Sequence, residues 1–126
     1  MTAARGLSLW GPVGAAMGAI FYLSAQPDVS LPTGVDDKTA HYVAYMALGL
    51  LVVRALARGL PARITTAVAV LSLAITIGYG ATDEWHQSFV PGRSTELADL
   101  AADALGALGA VGLCWAWGMI AIRSDA

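Results

Sequence analysis

Three uncharged, largely apolar stretches of 18 or 19 residues dominate this 126-residue chain: Leu7 to Ser24, Ile64 to Thr82 and Ala104 to Ile122. Each is long enough to cross the hydrocarbon core of a bilayer, which takes about 20 helical residues at about 1.5 Å apiece. In water such runs would need a polar surface to cover them, and the chain does not have one. Charged residues make up 13% of it, where soluble domains carry about 25%, and small domains are mostly surface. The 57% hydrophobic content also excludes a disordered chain. The net charge of -2 leaves no basic footprint for nucleic acid. Cys114 is the single cysteine, which excludes an internal disulfide and a cysteine-based zinc cluster.

A fourth segment is shorter. Tyr42 to Val53 gives only about 18 Å of helix, so a spanning helix there must recruit its flanks, from Lys38 to Ala57. The basic residues support that count. Arg5 precedes the first span, Arg54, Arg58 and Arg63 crowd the connection after the second, and Arg123 follows the last, whereas the other two connections hold Lys38 and Arg93. Positive residues stay on the cytoplasmic side, and four spans satisfy this distribution where three do not. The sequence thus predicts one domain over residues 1-126. It is an all-α integral membrane bundle of four transmembrane helices, at about 7-24, 38-57, 64-87 and 96-122, with both termini cytoplasmic. Trp10, Trp115 and Trp117 then fall near the inner interface, and Tyr22, Tyr42, Tyr79 and Trp85 near the outer one, as aromatic belts. Reading the first span as a cleaved signal sequence would spoil this topology, and its apolar run is long for one.

The acids are unevenly placed. Asp28, Asp36, Asp37, Asp83, Glu84, Glu96, Asp99 and Asp103 map to the outer side, and only Asp125 maps inside. Asp37, His41 and Tyr45 are spaced i, i+4, i+8 and share one face of the second helix. Past Tyr79, Glu84 and Gln87 share a face with Asp83 beside them, and Pro91-Gly92 signals a turn that throws Arg93 back toward the helix mouths. Ser94 or Thr95 is expected to cap the fourth helix with Glu96 in its first turn, and Glu96, Asp99 and Asp103 again share a face. Asp103 lies about one turn below the mouth and calls for a partner, for which Arg93 and Lys38 are the available cations. Ionisable residues at membrane depth usually face the bundle interior or a wet cavity.

Two of these segments carry a resemblance. Asp37-Lys38-x-x-His41-x-x-x-Tyr45-x-x-Leu48-Gly49, then Asp83-Glu84-x-x-Gln87-x-Phe89-x-Pro91-Gly92-Arg93, then Asp99 and Gly106, resembles the VanZ-like family of small bacterial membrane proteins. The match runs from about Asp36 to Gly109. It implies four or more spans, a bacterial cytoplasmic membrane as the location, and a link to reduced sensitivity to the glycopeptide teicoplanin, and it names no reaction. The family pattern usually carries Asn where this chain has Asp103, which adds a negative charge here. That charge calls for protonation, for balance by Lys38 and Arg93, or for a bound cation.

The expected site is an outward-facing polar cavity between the second, third and fourth helices, built from Asp37, Lys38, His41, Tyr45, Asp83, Glu84, Gln87, Arg93, Asp99 and Asp103. Three readings compete for it. One is binding of an anionic envelope lipid or a polyprenyl-linked cell-wall intermediate, with Lys38 and Arg93 on the phosphate. Another is an enzyme acting on a lipid-linked substrate, with His41, Asp83 or Glu84 as general base and Arg93 stabilising charge. Carboxylates with His41 or His86 would suit a divalent cation such as Mg²⁺ or Mn²⁺. No HExxH or GxSxG motif is present, however, and no metal site is predicted. The last is a non-catalytic structural or interaction module, in which the charges close into a network that pins the helices. Gly14-x-x-x-Gly18 and the small residues Gly106, Ala107, Gly109, Ala110 and Gly112 are expected to let helices within the chain approach closely. Cys114 is expected in the core.

Overall fold

The computed structural model describes residues 1–124; Asp125 lies outside the described residues. They form four helices, α1 (Ala3–Ser24), α2 (Asp37–Leu56), α3 (Thr66–Gln87) and α4 (Leu97–Ser124), with no strand among the described residues. All four are long and apolar enough to cross a membrane. The 20 residues of α2 give about 30 Å of helix. The short apolar run therefore does recruit its polar flank, beginning at Asp37.

The helices start where side chains satisfy the orphan N–H groups of the first turn. Thr2 accepts from the Arg5 N–H, Asp36 from Thr39 and Thr65 from Val68. The Thr39 bond, 2.7 Å long, holds the Asp36 carboxyl below the usual carboxylate range. Helix α4 begins one residue later than expected. Glu96 precedes its first residue, and the Glu96 carbonyl accepts the Asp99 N–H at 3.0 Å.

Helix α2 is the centre of the bundle and touches the other three. His41, Tyr45, Leu48 and Val52, at helical spacing, are all buried. Its apolar run is the shortest in sequence because it is bounded by His41, which α2 turns inward, and by Arg54. Leu9 and Val13 of α1 pack onto this face. Helix α4 reaches α2 through small residues. A Cβ on Gly106 would lie 2.5 Å from the Tyr42 carbonyl oxygen, and one on Gly49 would lie 2.8 Å from the Ala110 Cβ. Cys114 is buried on the same face.

Two packing expectations are corrected. Gly14 and Gly18 face outward, with nothing within 4 Å of a Cβ built on either, and the same holds for Gly112. Tyr79 is not an outer-belt residue, because its hydroxyl donates to the Met17 carbonyl at 2.6 Å and ties α3 to α1.

The connections alternate between two ends of the bundle. At one end the Arg5 guanidinium donates to the Arg58 carbonyl at 2.8 Å, and Gly118 abuts the Ala62 carbonyl. At the other end Arg93 reaches Gln26 and Lys38 reaches Glu96. The arginine-rich connection and the acidic helix mouths thus lie at opposite ends.

Candidate functional site

The acidic end is built from the first turns of α2 and α4, the last turns of α3, and the end of α1. Lys38, in the first turn of α2, donates to Asp99 Oδ1 at 2.6 Å and to Glu96 Oε2 at 2.8 Å. One turn deeper, His41 Nδ1 lies 2.8 Å from Asp103 Oδ1, and His41 Nε2 lies 3.7 Å from Asp37 Oδ2. Another turn down, the Tyr45 hydroxyl donates to Asp83 Oδ2 at 2.8 Å. The i, i+4, i+8 face of α2 therefore makes contacts in succession with α4 and α3.

Helix α3 divides its polar residues between two sides. Asp83 and Gln87, four apart, are both buried, and Gln87 donates to the Ser24 hydroxyl of α1 at 3.2 Å. Glu84 turns the other way, toward α4. It borders a groove lined also by Trp85, Ser88, Thr95, Glu96 and Leu100. Both Glu84 carboxylate oxygens, Asp83 Oδ1 and Asp103 Oδ2 are buried with no hydrogen-bond partner among the described residues.

A cavity of about 110 Å³ opens beside α2, lined by Asp37, His41, Tyr45, Asp83, Gln87 and Arg93 together with Ile20, Leu23, Val29 and Leu31. Six of the ten expected site residues share it. The other four, Lys38, Glu84, Asp99 and Asp103, do not line it; they gather on the α4 side. His41 joins the two halves, since it lines the cavity and contacts Asp103. The expected cavity among the second, third and fourth helices is thus found shifted toward α1, which supplies its apolar wall.

Two expected pairings are replaced. Asp103 meets His41 rather than Lys38 or Arg93, because the close approach at Gly106 carries α4 against α2 just below the Asp99–Lys38 pair. Among the described residues Arg93 does not join a carboxylate. Its Nη1 donates to the carbonyls of Gln26 at 3.1 Å and Leu23 at 3.4 Å, the electronegative end of α1. The turn that aims it is the expected one, with Gly92 at φ 83 and the Arg93 N–H bonded to the Val90 carbonyl at 3.2 Å. His86 lies outside the cavity and stacks on Phe21 with ring centroids 4.4 Å apart.

Ser24, Ser72 and Thr76 are further buried polar residues. The last two had a sequence signal. Ser72, Thr76, Gly80, Asp83 and Gln87 recur every three or four residues, and they are the buried positions of α3. Ser24 had none, because its contact with Gln87 depends on how α1 docks.

The arrangement of an Asp-Lys-x-x-His-x-x-x-Tyr helix against an Asp-Glu-x-x-Gln helix end and a Pro-Gly-Arg turn agrees with a match to the family model described as VanZ/LLP1, over residues 31–120. The chain belongs to the VanZ/LLP1 family. No curated protein and no solved structure matches it. The matched stretch of this VanZ/LLP1 protein begins within the α1–α2 connection and takes in α2, α3 and most of α4.

Proposed function

We propose that this VanZ/LLP1 protein binds the phosphate-bearing head of an envelope lipid, or of a polyprenyl-linked cell-wall intermediate, at the extracytoplasmic face of a bacterial cytoplasmic membrane. The cavity beside α2 carries the reading, because it joins a polar wall to an apolar one. Arg93 contacts the α1 end through Nη1, and among the described residues Nη2 and Nε remain to take a phosphate. Asp37 and Asp83, on the same wall, would repel a bare anion and suit the hydroxyl or ammonium groups of a larger head. Ile20, Leu23, Val29 and Leu31 give the first methylenes of a chain an apolar path to the bilayer. The face is assigned from the basic residues, since Arg5, Arg54, Arg58, Arg63 and Arg123 belong to the opposite end. A lipid of this class would connect the protein to glycopeptide sensitivity. A closed charge network is the weaker reading, because Asp83, Glu84 and Asp103 keep buried carboxylate oxygens without partners among the described residues.

Native mass spectrometry of protein extracted with its lipids tests this. Wild type should retain a phosphate-bearing lipid, and Arg93→Ala should lose it. Ala40 also lines the cavity, and Ala40→Leu, which fills it without removing a charge, should lose the lipid too. Equal lipid on all three proteins, or none on wild type, would reject the proposal.

A further inference from the structure

The lipid reading leaves the α4 side of the site unused, and that side holds the most deeply buried charges. We infer that His41, Glu84 and Asp103 form a binding site for one divalent transition-metal cation. The three residues come from α2, α3 and α4, and each offers a ligand atom within 4.8 Å of the others. Metal–ligand bonds of about 2.1 Å set ligand atoms about 3–3.5 Å apart, a spacing that small side-chain rotations reach from this geometry.

An independent observation is the state of the carboxylates. Asp103 is 0% exposed, and among the described residues its Oδ2 has no hydrogen-bond partner; both oxygens of Glu84 are likewise buried and unpartnered there. Buried charges are normally paired or bound to a metal. The space beside Asp103 Oδ2 is kept by Gly80, where a Cβ would lie 3.0 Å from that oxygen. Glu84 lies four residues beyond Gly80 and so shares its face of α3. Small and acidic positions on one face thus meet the buried Asp103.

The ligand chemistry narrows the ion. One imidazole nitrogen with carboxylate oxygens suits Zn²⁺ or Mn²⁺ better than Ca²⁺, which takes 6–8 oxygens, or Mg²⁺, which keeps its waters. With Nδ1 facing the site, His41 Nε2 points to Asp37 Oδ2 at 3.7 Å, the outer carboxylate that commonly orients a metal-bound histidine. The neighbouring group Asp37, His41 and Asp99 is a poorer site. Lys38 already holds Asp99 at 2.6 Å, and Asp37 is exposed.

The test uses the full chain in detergent, stripped with a chelator and titrated separately with Zn²⁺ and Mn²⁺. Metal per chain is read by elemental analysis, and affinity by calorimetry. Wild type should bind one ion. Glu84→Gln and Asp103→Asn should each weaken binding by about tenfold or more, while Glu96→Gln should match wild type. Helix content by circular dichroism checks folding. Should Asp103→Asn unfold, Glu84→Gln on its half-buried side chain decides the matter. Wild type that binds neither ion, or a folded Glu84→Gln that binds as wild type does, would overturn the site. Because the read-out is metal rather than lipid, failure here is distinguishable from failure of the lipid proposal.

Discussion

Arg54 donates from Nη1 to the carbonyl oxygen of Ser8 at 3.0 Å, and that oxygen is the one Pro12 leaves without a donor. Pro12 sits inside α1 and has no N–H to return to the residue four before it. At this end of the bundle a guanidinium from α2 takes the place of the missing amide. The two changes should therefore be coupled. Arg54→Ala should cost about 1 kcal/mol in the native background and clearly less in a Pro12→Ala background, where Ser8 regains an intrahelical donor. Unfolding in detergent measures both arms of the cycle, and equal costs in the two backgrounds would reject the coupling.

Gly106 is where α4 comes closest to the α2 backbone. A Cβ there would lie 2.5 Å from the Tyr42 carbonyl oxygen and 2.8 Å from the Met46 nitrogen. Backbone cannot step aside as a flexible side chain can. Gly106→Ala should destabilise the bundle by about 1–3 kcal/mol, and it should weaken the His41–Asp103 contact that depends on the approach. Gly112→Ala, which adds a methyl on the outer face with no atom within 4 Å, should be neutral or stabilising. Thermal melts of the two variants side by side check the difference.

The same contrast shows how far sequence reading reaches. Membrane-length apolar runs marked three helices directly. The fourth was weak in sequence because His41 and Arg54 bound its apolar run, and the burial of His41 belongs to the central position of α2. The face shared by Asp37, His41 and Tyr45 was legible, because four-residue spacing stacks side chains. Which neighbour each face meets was not. Spacing put Glu84 with Gln87, whereas packing gives Gln87 to α1 and Glu84 to the α4 side. Gly14 and Gly18 illustrate the harder problem. Lipid is as apolar as a neighbouring helix, so a small-residue motif reads alike whether it packs or faces the bilayer. Arg93 was legible as aimed at the helix mouths, but the α1 carbonyls became its partners only through docking.

Lys38 serves two acids that differ in exposure. The Glu96 side chain is 54% exposed and that of Asp99 is 3% exposed. Losing Glu96 removes a solvated, screened pair of the kind worth about 0–1 kcal/mol. Losing Lys38 strands a buried carboxylate. Lys38→Met should therefore lower the unfolding midpoint more than Glu96→Gln, and raising the salt concentration should narrow the gap between wild type and Glu96→Gln. A larger loss from Glu96→Gln would show that Asp99 does not depend on Lys38.

Among the described residues, Tyr45 supplies the one side-chain hydrogen bond that reaches the Asp83 carboxylate. Its hydroxyl donates to Oδ2 at 2.8 Å, while Oδ1 is buried without a partner. Tyr45→Phe keeps the ring and its packing in the buried cluster with Leu48 and Val52, and it removes only the donor. The carboxylate is then left with both oxygens unsatisfied, so the cost should be about 1–3 kcal/mol. Asp83→Asn in the Tyr45→Phe background should recover part of that loss, because a neutral amide is less costly to bury than an unpaired carboxylate. Asp83→Asn in the native background keeps an oxygen that accepts from Tyr45 and should be nearly neutral. Chemical unfolding of the four proteins reads the pair directly. Additive losses would mean that Tyr45 stabilises the bundle through its ring alone and that Asp83 draws its support from elsewhere in the cavity.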